Sequence, residues 1–284
     1  MSEASTDPDN YCYRHPDRQS FVLCQRCGRT ICAECQTPAA VGVHCPECMR
    51  ESRQSAPRTR PAIVTSARRL TQPDTPVVTY AIMAIIVIVF VAEAITGQLV
   101  GSGSPIVTAL AYYAPYTAIE PWRMLTYIFV HGGILHILFN LYSLFVLGPE
   151  MERLVGRWRF SVLFLLSGIG GAVAVLLSNP NSPVIGASGA IFGLFGAYFV
   201  IARHLGGNNR QLIIVIVINL AIGFLVPGIA WQAHVGGLLI GALVAFVLVR
   251  TRDRRKRGAQ QVMLAGVFVL LLVLSFSGVR LLGA

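Results

Sequence analysis

From residue 77 onward, apolar runs alternate with short polar loops, at about 77–98, 133–150, 159–178, 186–202, 211–226, 230–249 and 262–282. A helix needs roughly 20 apolar residues to cross the hydrocarbon of a bilayer, so this pattern predicts seven transmembrane helices. Residues 1–52 read differently: polar, broken by turn residues and rich in cysteine, they predict a compact module. Residues 53–75 carry Ser, Pro and Arg without apolar periodicity and predict a linker, leaving 76–284 as the membrane domain. The first 75 residues hold no apolar stretch of the kind a signal peptide needs, so the first span is expected to act as an uncleaved anchor.

Composition agrees with the pattern. Of the 284 residues 54% are hydrophobic and 13% are charged, about half the charged share of a soluble domain. The class expected is an all-α polytopic membrane protein, with the lipid bilayer as its first partner. A net charge of +10 invites a nucleic-acid reading, but the basic residues lie mainly in the linker and the loops. Inside the module Arg14, Arg18, Arg26 and Arg29 are partly balanced by Asp17, Glu34 and Glu47, so no nucleic-acid partner is expected. The loop charges report topology instead. Seventeen basic residues precede span one or join spans two and three, four and five, and six and seven, against Arg123 and Arg280 on the other side. The positive-inside rule then predicts a multi-pass protein of the plasma membrane, amino terminus cytoplasmic and carboxyl terminus extracytoplasmic.

With that topology, span four descends from outside and carries Ser188 about one turn in. Span six descends likewise with His234, and span two with His136 and Asn140, which share one helix face. A single buried serine or histidine is ordinarily a packing residue. Four such groups at one depth on three helices point to acyl transfer. A neutral imidazole can take the proton of a serine hydroxyl, so Ser188 is the candidate nucleophile and His234 its base. The Asn140 amide, the His136 ring and the Ser188 backbone N–H are candidate oxyanion donors, the last at a helix start where N–H groups lack intrahelical acceptors. Among the acids, only Glu93 on span one could approach this depth, which favours a dyad over a triad. Phe192, one turn below Ser188, could orient the imidazole by stacking. Gly186, Gly189, Gly193 and Gly196 on span four, and Gly236, Gly237 and Gly241 on span six, predict close backbone approach of the two helices.

These residues resemble the rhomboid family of intramembrane serine proteases. The resemblance rests on Trp122-Arg123, on the run from His131 through His136 to Asn140, on Gly186-Ala187-Ser188-Gly189, and on Ala233-His234 with Gly237 and Gly241, in that order. It implies a rhomboid-like six-helix core plus one C-terminal transmembrane helix. It also implies the same roles for Ser188, His234, His136 and Asn140, and no cofactor for catalysis. Transmembrane proteins are the implied substrates, cut in or near their spans, with His131 and the Trp122-Arg123 loop shaping access. Glu152-Arg153 followed by Gly156 resembles the family's structural motif at the inner end of span two. Phe192 departs from the tyrosine of many members and keeps only the ring. Two rivals stand beside the enzyme. A catalytically silent, rhomboid-like helix-binding chaperone or adaptor would ordinarily have lost the serine or the histidine. A transporter would carry ionisable residues near the midplane and internal repeats.

All seven cysteines fall within the first 48 residues, in four pairs of like spacing: Cys12 with His15, Cys24 with Cys27, Cys32 with Cys35, and Cys45 with Cys48. Eight ligands suit two closed tetrahedral zinc sites, and a cytoplasmic module favours metal over disulfides. The segment resembles the cross-braced B-box and RING modules, which implies a small cross-braced zinc-binding domain, the first pair joining the third and the second joining the fourth. Sequential pairing is the alternative, and His44 is a possible substitute ligand. Two structural Zn2+ ions are therefore expected, with a cytoplasmic protein as a candidate partner of the module.

Overall fold

The computed structural model describes residues 8–39, 41–55, 75–100, 103–207 and 209–281. The chain divides into two compact units, Met1–Arg68 and Arg69–Ala284. In the first, β1 (Tyr11–Cys12) pairs antiparallel with β2 (His15–Gln19), and β3 (Thr37–Pro38) with β4 (Val43–His44). Helix α1 (Pro46–Ser55) follows, running three residues past the expected end of the module at 52. The rest of the expected linker, 56–74, lies outside the described residues. The core of this unit consists of six cysteines and Ile31, with Tyr13 and Val43 against them. So few apolar side chains cannot hold a fold of this size without a covalent or metal staple.

The second unit is helical. The seven apolar runs form α2 (Val77–Val100), α5 (Ile134–Val155), α6 (Arg157–Ser178), α7 (Ser188–His204), α8 (Arg210–Leu225), α9 (Trp231–Arg250) and α10 (Arg257–Leu281), while α3 (Pro105–Leu110) and α4 (Arg123–Thr126) are short helices between α2 and α5. Five of the seven are long and apolar enough to span a bilayer; α7 and α8, with 17 and 16 residues, fall short of that length. The reason at α7 is visible in the backbone. Residues 184–186 do not form the helix's first turn: Val184 exchanges both backbone hydrogen bonds with Tyr112 at 2.8 and 3.0 Å, and Gly186 N–H donates to the Tyr127 carbonyl at 2.9 Å. Extended chain inside a membrane domain is tolerated where protein satisfies its backbone, as here.

Large apolar side chains such as Ile88, Phe139, Val217, Phe224, Leu270 and Phe276 point outward, the composition of a lipid-facing surface. Inside, close packing depends on glycine. A Cβ at Gly237 would overlap the Gly189 carbonyl and one at Gly241 the Gly193 carbonyl, so α7 and α9 meet backbone to backbone. Helix α10 packs on α6, with Gly278 against Leu176 and Leu177.

The end of α5 anchors the start of α2. Glu152, buried, accepts the backbone N–H groups of Val78 at 3.0 Å and Thr79 at 2.7 Å and the Thr79 hydroxyl at 2.8 Å. The carboxylate thus satisfies amides at a helix start where no carbonyl can reach them. Gly156, at φ +87°, ends α5 and turns the chain into α6. Glu152→Gln replaces one accepting oxygen by a donor facing donors and is expected to cost about 2–3 kcal/mol. A lower thermal unfolding midpoint in detergent would register this loss; an unchanged midpoint would contradict the anchoring role.

Candidate active site and metal centres

Ser188 is the first residue of α7, where its N–H and that of Gly189 have no intrahelical acceptor. The pinned strand before it fixes where that helix begins. Gly186 is required there twice over: its φ is +110°, and a Cβ would sit 2.5 Å from His136 Nε2.

The glycine contacts between α7 and α9 bring the candidate nucleophile and base together. His234 Nε2 lies 2.9 Å from Ser188 Oγ. The imidazole is buried beneath a partly exposed serine, and the Phe192 ring stacks on it with centroids 4.2 Å apart and planes within 10°. His234 Nδ1 is buried without a protein partner, so no carboxylate occupies a triad position among the described residues. With Nε2 facing the hydroxyl as acceptor, the neutral ring carries its proton on Nδ1. Glu93 is engaged elsewhere: its Oε2 accepts the His131 backbone N–H at 3.3 Å.

The oxyanion candidates are arranged unequally. His136 Nδ1 accepts the Gly132 N–H at 3.4 Å, which leaves the proton of the neutral ring on Nε2, the atom beside Gly186. The imidazole is therefore a donor aimed at the loop that carries the serine. Asn140 gives one amide hydrogen to the His136 carbonyl at 2.8 Å, within its own helix, and retains a second. His131 stacks obliquely on His136, with centroids 5.0 Å apart. Arg123 is buried and braces the outer loop, paired with Glu120 and donating to the carbonyls of Thr108 and Ala111. Trp122 is exposed.

Sequence reasoning missed two contributors. Tyr127 is fully buried, donates its hydroxyl to the Gly168 carbonyl at 2.8 Å, and has its ring end against Gly189. Gly223 on α8 lies against His234, where a Cβ would sit 3.1 Å from Nδ1. Neither has a neighbour in sequence that would mark it, because both act across helices.

In the first unit, two donor sets form. Cys12, His15, Cys32 and Cys35 make one, and Cys24, Cys27, Cys45 and Cys48 the other, with ligand atoms in each within 4.8 Å of one another. His44 belongs to neither. A tetrahedron with Zn–S bonds of about 2.3 Å has edges near 3.8 Å. The separations of 3.4–3.8 Å from His15 Nδ1 to the sulfurs of Cys12, Cys32 and Cys35, and 3.8 Å between Cys27 and Cys45, fit that size. The sets interleave along the chain, first pair with third and second with fourth.

The electrostatics of the sulfurs fit a cation as well. Burial raises the thiols of Cys12, Cys24, Cys32, Cys35 and Cys48. At Cys12 it is outweighed by N–H donors from Cys32, Arg14 and His15, and at Cys24 by those from Cys45, Arg26 and Cys27, which bring both to about 6. At Cys35 and Cys48 the adjoining sulfurs act with burial and push the thiols up to about 11 and about 12. Four clustered sulfurs cannot all ionise unless a cation joins them. Arg29 braces the second set from outside, its Nε donating to Cys27 Sγ at 3.3 Å.

Residues 118–251 match the family described as "Rhomboid domain". The chain is 35% identical over 189 residues to "Rhomboid protease GluP" of Bacillus subtilis (strain 168), a match covering 62% of this chain and 36% of that protein. It is 37% identical over 142 residues to "Putative rhomboid protease YdcA" of the same organism, covering 48% of this chain and 71% of the relative. A third relative, "Rhomboid-type serine protease 2" of Emericella nidulans, is 34% identical over 141 residues, covering 46% and 28% respectively. The chain therefore spans about a third of the length of GluP and of the Emericella protein.

Proposed function

Because the chain belongs to the rhomboid family, we propose that it is an intramembrane serine endopeptidase, hydrolysing peptide bonds in or near the transmembrane segments of membrane proteins by a Ser188–His234 dyad. The observation that carries the reading is the 2.9 Å separation of His234 Nε2 and Ser188 Oγ, with Phe192 stacked beneath the ring. Ser188 Oγ attacks the scissile carbonyl as His234 Nε2 takes its proton, and the same nitrogen returns the proton to the leaving amine. Water then resolves the acyl-enzyme with His234 again as base. The oxyanion is met by the Ser188 N–H, the His136 Nε2–H and the free hydrogen of the Asn140 amide. Each such donor contributes roughly 3 kcal/mol to the transition state. His131 supports the His136 ring, while Gly186, Gly189, Gly237 and Gly241 set the distances.

A peptide bond inside a helix is shielded and hydrogen-bonded, so the substrates are transmembrane proteins with weak helix formers near the outer boundary. The silent chaperone reading has no support from the site: its nucleophile and base are both present and in contact. Orientation follows the loop charges, with the amino terminus cytoplasmic and the carboxyl terminus extracytoplasmic.

The first unit is a B-box-like module at 1–52 holding two structural zinc ions, one on Cys12, His15, Cys32 and Cys35, the other on Cys24, Cys27, Cys45 and Cys48. Zinc there supplies the cross-links that a core made of its own ligands lacks. A cytoplasmic protein is the partner class such a module serves.

Reconstituted with a tagged single-span substrate, the wild-type protein is expected to cleave near the outer boundary. Ser188→Ala and His234→Ala are each expected to lower the rate by at least about a thousandfold. Cleavage by either variant at the wild-type rate would remove that residue from the chemistry. The purified chain should also carry two zinc equivalents by elemental analysis, and a chelator should unfold the module. Protons compete with metal for the thiolates and for His15, so zinc affinity should fall as pH drops below 7. Zinc content insensitive to both chelator and acid would contradict the assignment.

A further inference from the structure

At the end of the membrane unit where the basic loops gather, two cavities adjoin. One, of about 180 Å³, lies among the ends of α5, α6, α7 and α9 and the start of α10; Arg159, His204 and Arg252 line it together with Leu154, Leu205 and Leu248. The other, of about 380 Å³, is lined by Trp158, Arg159, Arg257, Gln260 and Gln261. Arg159 and Gln260 form part of both walls. Gln260 is 1% exposed, its amide donating to Thr251 Oγ1 at 2.8 Å and its oxygen accepting Arg159 Nε at 2.7 Å. A buried amide shared by α6, α9 and α10 thus fixes the direction of a guanidinium at the junction of the two cavities.

Among the described residues no carboxylate pairs with this guanidinium, and Arg252 and Arg257 form no ion pair either. The two nearest acids in sequence are occupied: Glu152 by Val78 and Thr79, Asp253 by the Arg255 backbone N–H at 2.9 Å. Loop arginines that only set topology need neither a cavity nor a positioned guanidinium. Arg254, Arg255 and Lys256 are of that kind, on the same loop but outside both walls.

We propose that this cleft binds an anionic phospholipid from the leaflet on the basic-loop side, its phosphate held by Arg159, Arg252 and Arg257 and its chain lying along Leu154, Leu205 and Leu248. The charge selects a phosphate and the apolar wall selects a phosphate with a hydrocarbon tail; a free inorganic ion satisfies only the first. A basic pocket between helix ends is a recognised form of headgroup site. Bound there, the lipid ties together the ends of α6, α9 and α10, and His204 of α7 acquires a partner.

The test uses the full chain in phosphatidylcholine bilayers with and without phosphatidylglycerol, reading retained lipid by native mass spectrometry and the unfolding midpoint in parallel. Each neutralised arginine is expected to weaken retention roughly fivefold, so Arg252→Gln/Arg257→Gln should lose about 25-fold. The same pair should also lose the rise in midpoint that phosphatidylglycerol gives the wild type. Arg254→Gln/Arg255→Gln, equal in charge removed, should behave as wild type. Equal losses from the two pairs would reduce the effect to surface charge and overturn the site. Stabilisation by inorganic phosphate to the same extent as by phosphatidylglycerol would overturn the lipid.

Discussion

The contact between α7 and α9 governs the site. Helices whose side chains interdigitate stand 8–10 Å apart, too far for two short side chains near their ends to meet reliably. Here Gly237 faces the Gly189 carbonyl and Gly241 the Gly193 carbonyl, so the helices approach to the limit of their backbones. In hydrocarbon this approach draws on packing and not on water exclusion, which makes small residues the available means. Ser188 and His234 stand at the same end of that seam, and their separation follows from it. A methyl group at either glycine of α9 would part Ser188 from His234 without touching either side chain.

The surroundings divide into groups whose polar atoms are spent on the fold and groups whose polar atoms are left open. Tyr127, Glu152 and Arg123 spend their polar atoms on backbone of other segments and fix the outer loop, the start of α2 and the depth of α7. Around the candidate site the pattern reverses: His234 Nδ1, His131 Nε2 and Asn140 Oδ1 are buried without a protein partner. Unpartnered polar atoms are costly in an apolar interior, and those on His234, His131 and Asn140 belong to the candidate site. Phe192 completes it by restraining His234 through a ring face, which adds no charge to a place where charge is expensive.

Much of this was legible in the sequence. Apolar run lengths gave seven helices, and Ser188 and His234 stand at the starts of α7 and α9, where those runs begin. Equal spacing in four Cys/His pairs marked the two donor sets, and interleaving was one of the two open pairings. The short α7 was not legible, because it depends on Val184 and Gly186 pairing with Tyr112 and Tyr127, some 60–70 residues away. Backbone pairing at that range leaves no periodicity. The placement of the Asn140 amide on its own helix is a side-chain torsion, and the burial of Gln260 beneath Arg159 depends on how α6 meets α10; neither has a local signal. Glu93 was conspicuous as an acid in a span, yet its partner, a backbone N–H in the loop before α5, could not be read from composition.

If the α7–α9 seam makes a nucleophile of Ser188, that serine should be far more reactive than any other in the chain. Labelling the membrane-embedded protein with a fluorophosphonate, and mapping the adduct by mass spectrometry in wild type and His234→Ala, tests this without a substrate. The account predicts a single adduct on Ser188 that His234→Ala abolishes. Labelling that persists in His234→Ala, or that falls on another serine, would contradict it.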